Sequence, residues 1–87
     1  MKELNPIFVE FMPDIIEDGN LYVSIKYKVA IHNCVCGCKE KTVTPFGNNG
    51  WTLSVNNDKV TLRPSIGNFQ FDCKSHYYIT DNQIQIL

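Results

Sequence analysis

The sequence predicts a small all-β domain of six or seven short antiparallel strands. Apolar and polar residues alternate with a period of two in several segments, as in strands that bury one face. Clusters of glycine, asparagine and aspartate separate these segments and indicate turns. No stretch shows the spacing of an amphipathic helix over ten or more residues. The chain has 87 residues, and we therefore expect one domain over residues 1–87.

The first half is dominated by residues 21–31, in which apolar side chains occupy the odd positions. We interpret this segment as a single strand with one buried face. Before it, residues 6–12 are apolar and extended, and the following region up to residue 20 allows either a short strand or one helical turn. Residues 42–46 predict a further strand that stops at a run rich in glycine and asparagine.

The second half indicates two hairpins. Strands at 51–55 and 60–62 should pair through a longer loop at 56–58. Pro64 is expected to end the second of these strands, because proline cannot donate to a sheet ladder. The segment after it, residues 65–68, should then be a loop. Residues 77–87 predict a closing hairpin that turns at an Asp-Asn pair.

Charge and hydropathy exclude two classes of partner. The net charge is −1, whereas a nucleic-acid-binding domain needs a basic face. No segment approaches the roughly 18 apolar residues of a membrane-spanning helix. The N-terminus also lacks the apolar core of a signal peptide. We expect a cytoplasmic protein, in which clustered cysteines more often bind metal than form structural disulfides.

All four cysteines and both histidines lie in two distant segments, residues 32–38 and 73–76. The three clustered cysteines are too closely spaced to pair comfortably with one another. Zinc takes four ligands in a tetrahedron, commonly cysteine thiolates with or without histidine. One ion bound by both segments would connect distant parts of a domain with a small core. We therefore predict a structural zinc site; the alternative is that the cysteines are reduced and packed in the core.

Six side chains, four cysteines and two histidines, could bind the zinc ion, but a structural zinc site uses four ligands. One ligand set consists of the four cysteines, which leaves His76 beside a closed site. The other consists of three cysteines and His76. We favour the first set and interpret His32 as a surface histidine, because it continues the polar positions of its strand. The favoured zinc ligands are Cys34, Cys36, Cys38 and Cys73.

A histidine outside the zinc site could act as a general base near neutral pH. The candidate nucleophiles for His76 are Ser65 and Ser75. Ser75 is its direct neighbour, and neighbours along a strand point to opposite faces. Ser65 follows Pro64 in the predicted loop and is the better candidate. The candidates for a third, orienting group are Asp72, Asp58 and Asn68, and the sequence does not choose among them.

Several motifs together resemble a small bacterial family whose genes lie near those for ubiquitin-like proteins and for E1- and E2-like conjugating enzymes. The similarity covers about residues 21–80. This sequence departs from the family pattern at Asp72, where proline is common, and at Tyr78, where tryptophan is common. The motifs that carry it are Ala30-Ile31-His32-Asn33-Cys34-Val35-Cys36-Gly37-Cys38, Val43-Thr44-Pro45, Gly50-Trp51, Leu62-Arg63-Pro64-Ser65-Ile66-Gly67-Asn68 and Cys73-Lys74-Ser75-His76-Tyr77.

The resemblance implies a zinc-bound β domain in a bacterial ubiquitin-like pathway. Its implied activity is that of a peptidase that trims the tail of the ubiquitin-like protein or removes it from targets, with Ser65 and His76 at the catalytic positions. One alternative is a non-catalytic zinc module that docks a ubiquitin-like protein or a conjugating enzyme through exposed aromatic residues. Another makes the zinc catalytic, with His76 as a ligand. The aromatic candidates for docking are Phe69, Tyr77 and Tyr78.

Overall fold

A computed structural model describes residues 3–35, 40–48, 50–67 and 76–87. These residues form eight strands in two four-stranded sheets. The all-β prediction is confirmed, with eight strands in place of the expected six or seven. The first sheet contains β1 (Asn5–Phe8), β2 (Asn20–Ser24), β3 (Val29–Asn33) and β4 (Lys41–Pro45); the second contains β5 (Thr52–Asn56), β6 (Lys59–Gly67), β7 (His76–Thr80) and β8 (Gln83–Ile86).

Each sheet follows the order of the chain, and sequential strands are neighbours. All these pairs are antiparallel except β1 and β2, which are parallel and depart from the prediction. Both sheets contribute to one apolar core, which forms because each strand turns alternate side chains inward. The fully buried members of this core include Leu21, Val23, Ala30, Val60, Leu62, Ile66, Tyr77 and Ile79. In the part of the chain that the structure describes, no helix is long and apolar enough to cross a membrane.

The prediction of one strand over residues 21–31 is wrong, because this segment is the hairpin of β2 and β3. Residues 25–28 form the connecting turn. Lys28 adopts a positive φ of 56° there. Ile25 and Tyr27, which continue the alternation in the sequence, are 55% and 52% exposed. The period-two pattern therefore runs through a turn that it does not reveal.

This hairpin also reverses which positions are buried. Leu21 pairs with His32, and Val23 pairs with Ala30. Paired residues on adjacent strands point to the same face of a sheet. The buried odd positions of β2 therefore face even positions of β3, and His32 is fully buried. Its interpretation as a surface histidine is wrong.

Strand β6 is longer than predicted. Pro64 does not end it, and the strand continues to Gly67. The register of β6 against β7 shifts between Leu62 and Ile66, and such an irregularity can accommodate a residue without a backbone donor. Ser65 consequently lies in a strand and not in the predicted loop. The β5–β6 hairpin itself is confirmed, but its turn has only two central residues, Asn57 and Asp58, both with positive φ.

A tight connection joins the end of β4 to the start of β5. The Trp51 amide donates to the Pro45 carbonyl at 2.9 Å, and the Gly47 amide donates to the Trp51 carbonyl at 2.9 Å. A Cβ atom at Gly50 would collide with the Pro45 carbonyl oxygen. The backbone of Trp51 is thereby bonded to the end of β4 and not to β6. The pairing between β5 and β6 consequently ends at Thr52.

The predicted strand at 42–46 corresponds to β4, and the closing hairpin is confirmed as β7 and β8. Asp81 and Asn82 form its turn with φ of 49° and 70°. The Asn82 side-chain oxygen accepts a hydrogen bond from the Val60 amide at 2.7 Å. This turn is therefore tied to β6 at the end of the sheet opposite to Ser65.

Candidate active site

Ser65 and His76 lie on the neighbouring strands β6 and β7, where Gly67 pairs with His76 and Ile66 pairs with Tyr77. Ile66 and Tyr77 point into the core and are buried. Since successive side chains of a strand alternate between faces, Ser65, Gly67 and His76 share the opposite face. Ser65 and His76 are both half-buried. Their side chains therefore lie on the outer side of the second sheet.

The Ser65 Oγ is 2.7 Å from the His76 Nε2, within hydrogen-bonding distance. His76 directly faces Gly67, which has no side chain. Ser65 is its diagonal neighbour on the same face, and long side chains reach across that separation. A hydroxyl bonded to an imidazole nitrogen has the geometry of a nucleophile beside a general base. The catalytic roles of the two residues stay predictions.

One candidate for the third group is excluded by its position. Asp58 lies in the turn before β6, seven residues before Ser65. A strand rises about 3.3 Å per residue, which separates the two by roughly 20 Å. Asp58 therefore cannot orient the imidazole of His76. The other candidates, Asp72 and Asn68, lie outside the described residues, as does Ser75.

Of the predicted zinc ligands, the structure describes Cys34. It follows β3 directly and is 2% exposed. Its amide donates to the Glu40 carbonyl at 2.8 Å, which joins the chain before and after residues 36–39. Cys36, Cys38 and Cys73 lie outside the described residues. Within the described ranges no three histidine, cysteine or acidic side chains form a metal-binding group, and the zinc site stays a prediction.

A buried contact between His32 and Tyr77 joins the two sheets. The His32 Nε2 lies 2.6 Å from the Tyr77 hydroxyl. The two rings meet edge to face with their centroids 5.9 Å apart. His32 precedes Cys34 by two residues, and Tyr77 follows His76 directly. This contact therefore brings together the strand that precedes the first cysteine-containing segment, β3, and the strand that follows Cys73, β7.

The burial of His32 determines its charge. Desolvation lowers its pKa to about 4, because a charged imidazole is disfavoured in an apolar environment. His32 is therefore neutral at pH 7. Its Nδ1 is buried and has no hydrogen-bond partner among the described residues. The burial of His32 follows from the register of β3 against β2, in which His32 pairs with the buried Leu21. Sequence reasoning missed it because this register depends on the position of the turn.

We expect the substitution Tyr77→Phe to lower the free energy of unfolding by about 1–3 kcal/mol, because it leaves the buried His32 Nε2 without this partner. The measurement is urea denaturation of the purified protein. Tyr78→Phe is the matched control, since Tyr78 is half-buried on the outer face, and it should change stability by less than about 0.5 kcal/mol. Equal stability of the two variants would show that the His32–Tyr77 hydrogen bond contributes nothing.

The outer face of the second sheet also carries a polar cluster. Arg63 donates to the Thr80 hydroxyl at 2.7 Å, and its guanidinium carbon is 4.5 Å from the ring centroid of Tyr78. Tyr78 is accessible there, whereas Tyr77 is fully buried. The expectation that Tyr77 is an exposed docking residue is therefore wrong. Phe69, the other aromatic candidate, lies outside the described residues.

Residues 8–87 match a family model described as "Bacterial ubiquitination-like system serine protease (BubE)". The chain belongs to the BubE family. This confirms the resemblance to a family of a bacterial ubiquitin-like pathway. No curated protein and no solved structure matches the chain significantly.

The description of the BubE family names serine as the type of nucleophile, which limits the choice among the described serines. Ser24 is buried, and its hydroxyl donates to the Glu10 carbonyl at 2.8 Å. Ser54 is exposed on β5, which pairs with β6 and not with β7. Ser65 is the described serine that is hydrogen-bonded to a histidine.

Proposed function

We propose that this protein is a serine-type peptidase that cleaves the acyl bond at the C-terminal tail of a ubiquitin-like protein. Cleavage would either process a precursor or release the ubiquitin-like protein from a target. The observation that carries the proposal is the 2.7 Å contact between the Ser65 Oγ and the His76 Nε2 on the outer side of the second sheet. Membership of the BubE family supports the same class of reaction.

In the first half of the reaction, the Ser65 Oγ attacks the carbonyl carbon of the scissile bond. His76 Nε2 takes the hydroxyl proton as the new C–O bond forms. The resulting tetrahedral intermediate collapses when the C–N bond breaks. His76 then gives its proton to the leaving amine, and an ester between Ser65 and the tail remains.

In the second half, a water molecule replaces the amine. His76 accepts a proton from the water while the water oxygen attacks the ester carbonyl. Breakage of the C–O bond to Ser65 releases the tail as a carboxylic acid, and the proton returns to the serine oxygen. The half-buried position of both side chains supports this scheme, because water and substrate can reach them from the outer face.

We further propose that a structural zinc ion is bound by Cys34, Cys36, Cys38 and Cys73. Four thiolates form a typical closed zinc site. Cys34 is buried and follows His32 by two residues. His32 contacts Tyr77 of β7, the strand that follows Cys73, and this arrangement fits a shared ion. The zinc would connect the two cysteine-containing segments, and His76 would remain outside the ligand set.

The proposed partner is a ubiquitin-like protein as substrate, with E1- and E2-like enzymes acting in the same pathway. The description of the BubE family as part of a bacterial ubiquitination-like system supports this choice. A cytoplasmic location is part of this proposal.

A fluorophosphonate probe tests the serine-nucleophile proposal without a natural substrate. We expect the Ser65 oxygen to form a bond to phosphorus as fluoride leaves, and peptide mass spectrometry should locate the adduct on Ser65. His76→Gln should lower the labelling rate by at least about 100-fold, because the hydroxyl loses its general base.

Ser54→Ala is the control for labelling, since it removes an exposed hydroxyl away from His76 and should leave the rate unchanged. Absence of an adduct on Ser65 in the folded wild-type protein would contradict the proposed nucleophile. Unchanged labelling of the His76→Gln variant would contradict the proposed base.

A further inference from the structure

We infer that the tail of the substrate binds as an added β-strand along residues 64–67 of β6, on the edge that faces away from β7. This inference rests on the proposed function and specifies how that function selects its substrate. The ligand class is a peptide in an extended conformation, here the C-terminal tail of the ubiquitin-like protein.

None of the described strands covers this edge, because β5 is shorter than β6. The β5–β6 ladder ends where Thr52 pairs with Arg63. The preceding residue, Trp51, directs its amide and its carbonyl to Pro45 and Gly47 instead. In the described part of the chain, no strand pairs with residues 64–67 on that side.

The backbone of Gly67 points toward this open edge. The His76 carbonyl accepts a hydrogen bond from the Leu87 amide at 2.9 Å, so His76 directs its backbone groups toward β8. In an antiparallel ladder, directly opposed residues alternate between bonded and non-bonded pairs. Gly67 and His76 are therefore a non-bonded pair, and the Gly67 N–H and C=O point away from β7.

An extended peptide is the complementary ligand for such an edge. Its own N–H and C=O groups point sideways and can pair with those of β6, as in other cases of strand addition. Pro64 is exposed, and Ser65 and Gly67 are half-buried, so a peptide can approach. A strand in this position passes next to the Ser65 Oγ and brings one of its carbonyl groups to the nucleophile.

Backbone methylation of the substrate tests this inference. The substrate is a full-length ubiquitin-like precursor made by semisynthesis, with single N-methyl groups placed in turn at each tail residue around the scissile bond. Methylation removes one donor without altering the side chain. We expect kcat/KM to fall at least tenfold at every second position and to stay within about twofold at the positions between, because a strand directs alternate residues to one edge.

Three outcomes separate this inference from the proposed function. A period-two loss of cleavage supports strand addition. Normal cleavage of all methylated substrates, or losses without the period of two, overturns strand addition and leaves the peptidase function intact. Failure of the wild-type protein to cleave even the unmethylated precursor overturns the proposed function, and the inference with it. The Ser65→Ala variant serves as the blank for background hydrolysis.

Discussion

Replacement of Ser65 by alanine should lower the rate of precursor cleavage by at least about 10⁴-fold, because the reaction loses its nucleophile. The effect on stability should be small. The substitution removes a hydrogen bond to His76 between two half-buried side chains, and such a bond contributes about 1 kcal/mol. The measurements are a single-turnover cleavage assay and urea denaturation of the same preparation.

The matched control is Ser54→Ala, which removes a hydroxyl from an exposed position of β5. It should cleave the precursor at the wild-type rate. The zinc content of both variants should equal that of the wild-type protein, since neither serine belongs to the proposed ligand set. Full activity in a folded Ser65→Ala protein would refute the serine mechanism.

If the proposed zinc ion is structural, its removal should abolish folding and activity together. A structural zinc site contributes roughly 10–16 kcal/mol of apparent binding free energy, which is comparable to the whole stability of a small domain. We expect Cys34→Ser to lose the metal and to unfold. Titration of the wild-type protein with a chelator should reduce cleavage and the β-sheet circular dichroism in parallel.

The variant that separates the two proposed ligand sets is His76→Gln. If the four cysteines bind the ion, this variant keeps its zinc and its fold and loses only the cleavage activity. Loss of zinc from it would support three cysteines and His76 as the ligands. Loss of activity upon chelation before any change in the circular dichroism would instead support a catalytic zinc.

The identity of the candidate catalytic residues could be predicted from the sequence, but their environment could not. His76 was selected because the chain has more candidate zinc-binding side chains than a zinc site uses. Ser65 was selected from the motif around Pro64. The prediction placed Ser65 in a loop because proline cannot donate to a ladder. In the structure, β6 pairs with β7 through a shifted register. The strand therefore continues past Pro64 to Gly67.

The error at His32 has a similar origin. Alternation along residues 21–31 indicated one strand with its odd positions buried. The structure instead forms two strands, and in β3 the even positions Ala30 and His32 are buried. The turn between the two strands contains the apolar residues Ile25 and Tyr27, which preserve the alternation in the sequence. Local pattern therefore could not reveal that the chain reverses direction or that His32 becomes fully buried.

By itself, the sequence determined the all-β class, the hairpins of the second half and the residue types available for chemistry. These are local properties, because strand periodicity and turn residues act over a few positions. The tertiary structure decided that the Ser65 Oγ lies 2.7 Å from the His76 Nε2 and that no described strand covers the edge of β6 beside them. Both depend on the register and the relative lengths of neighbouring strands, which are set by long-range pairing and by burial of the shared core.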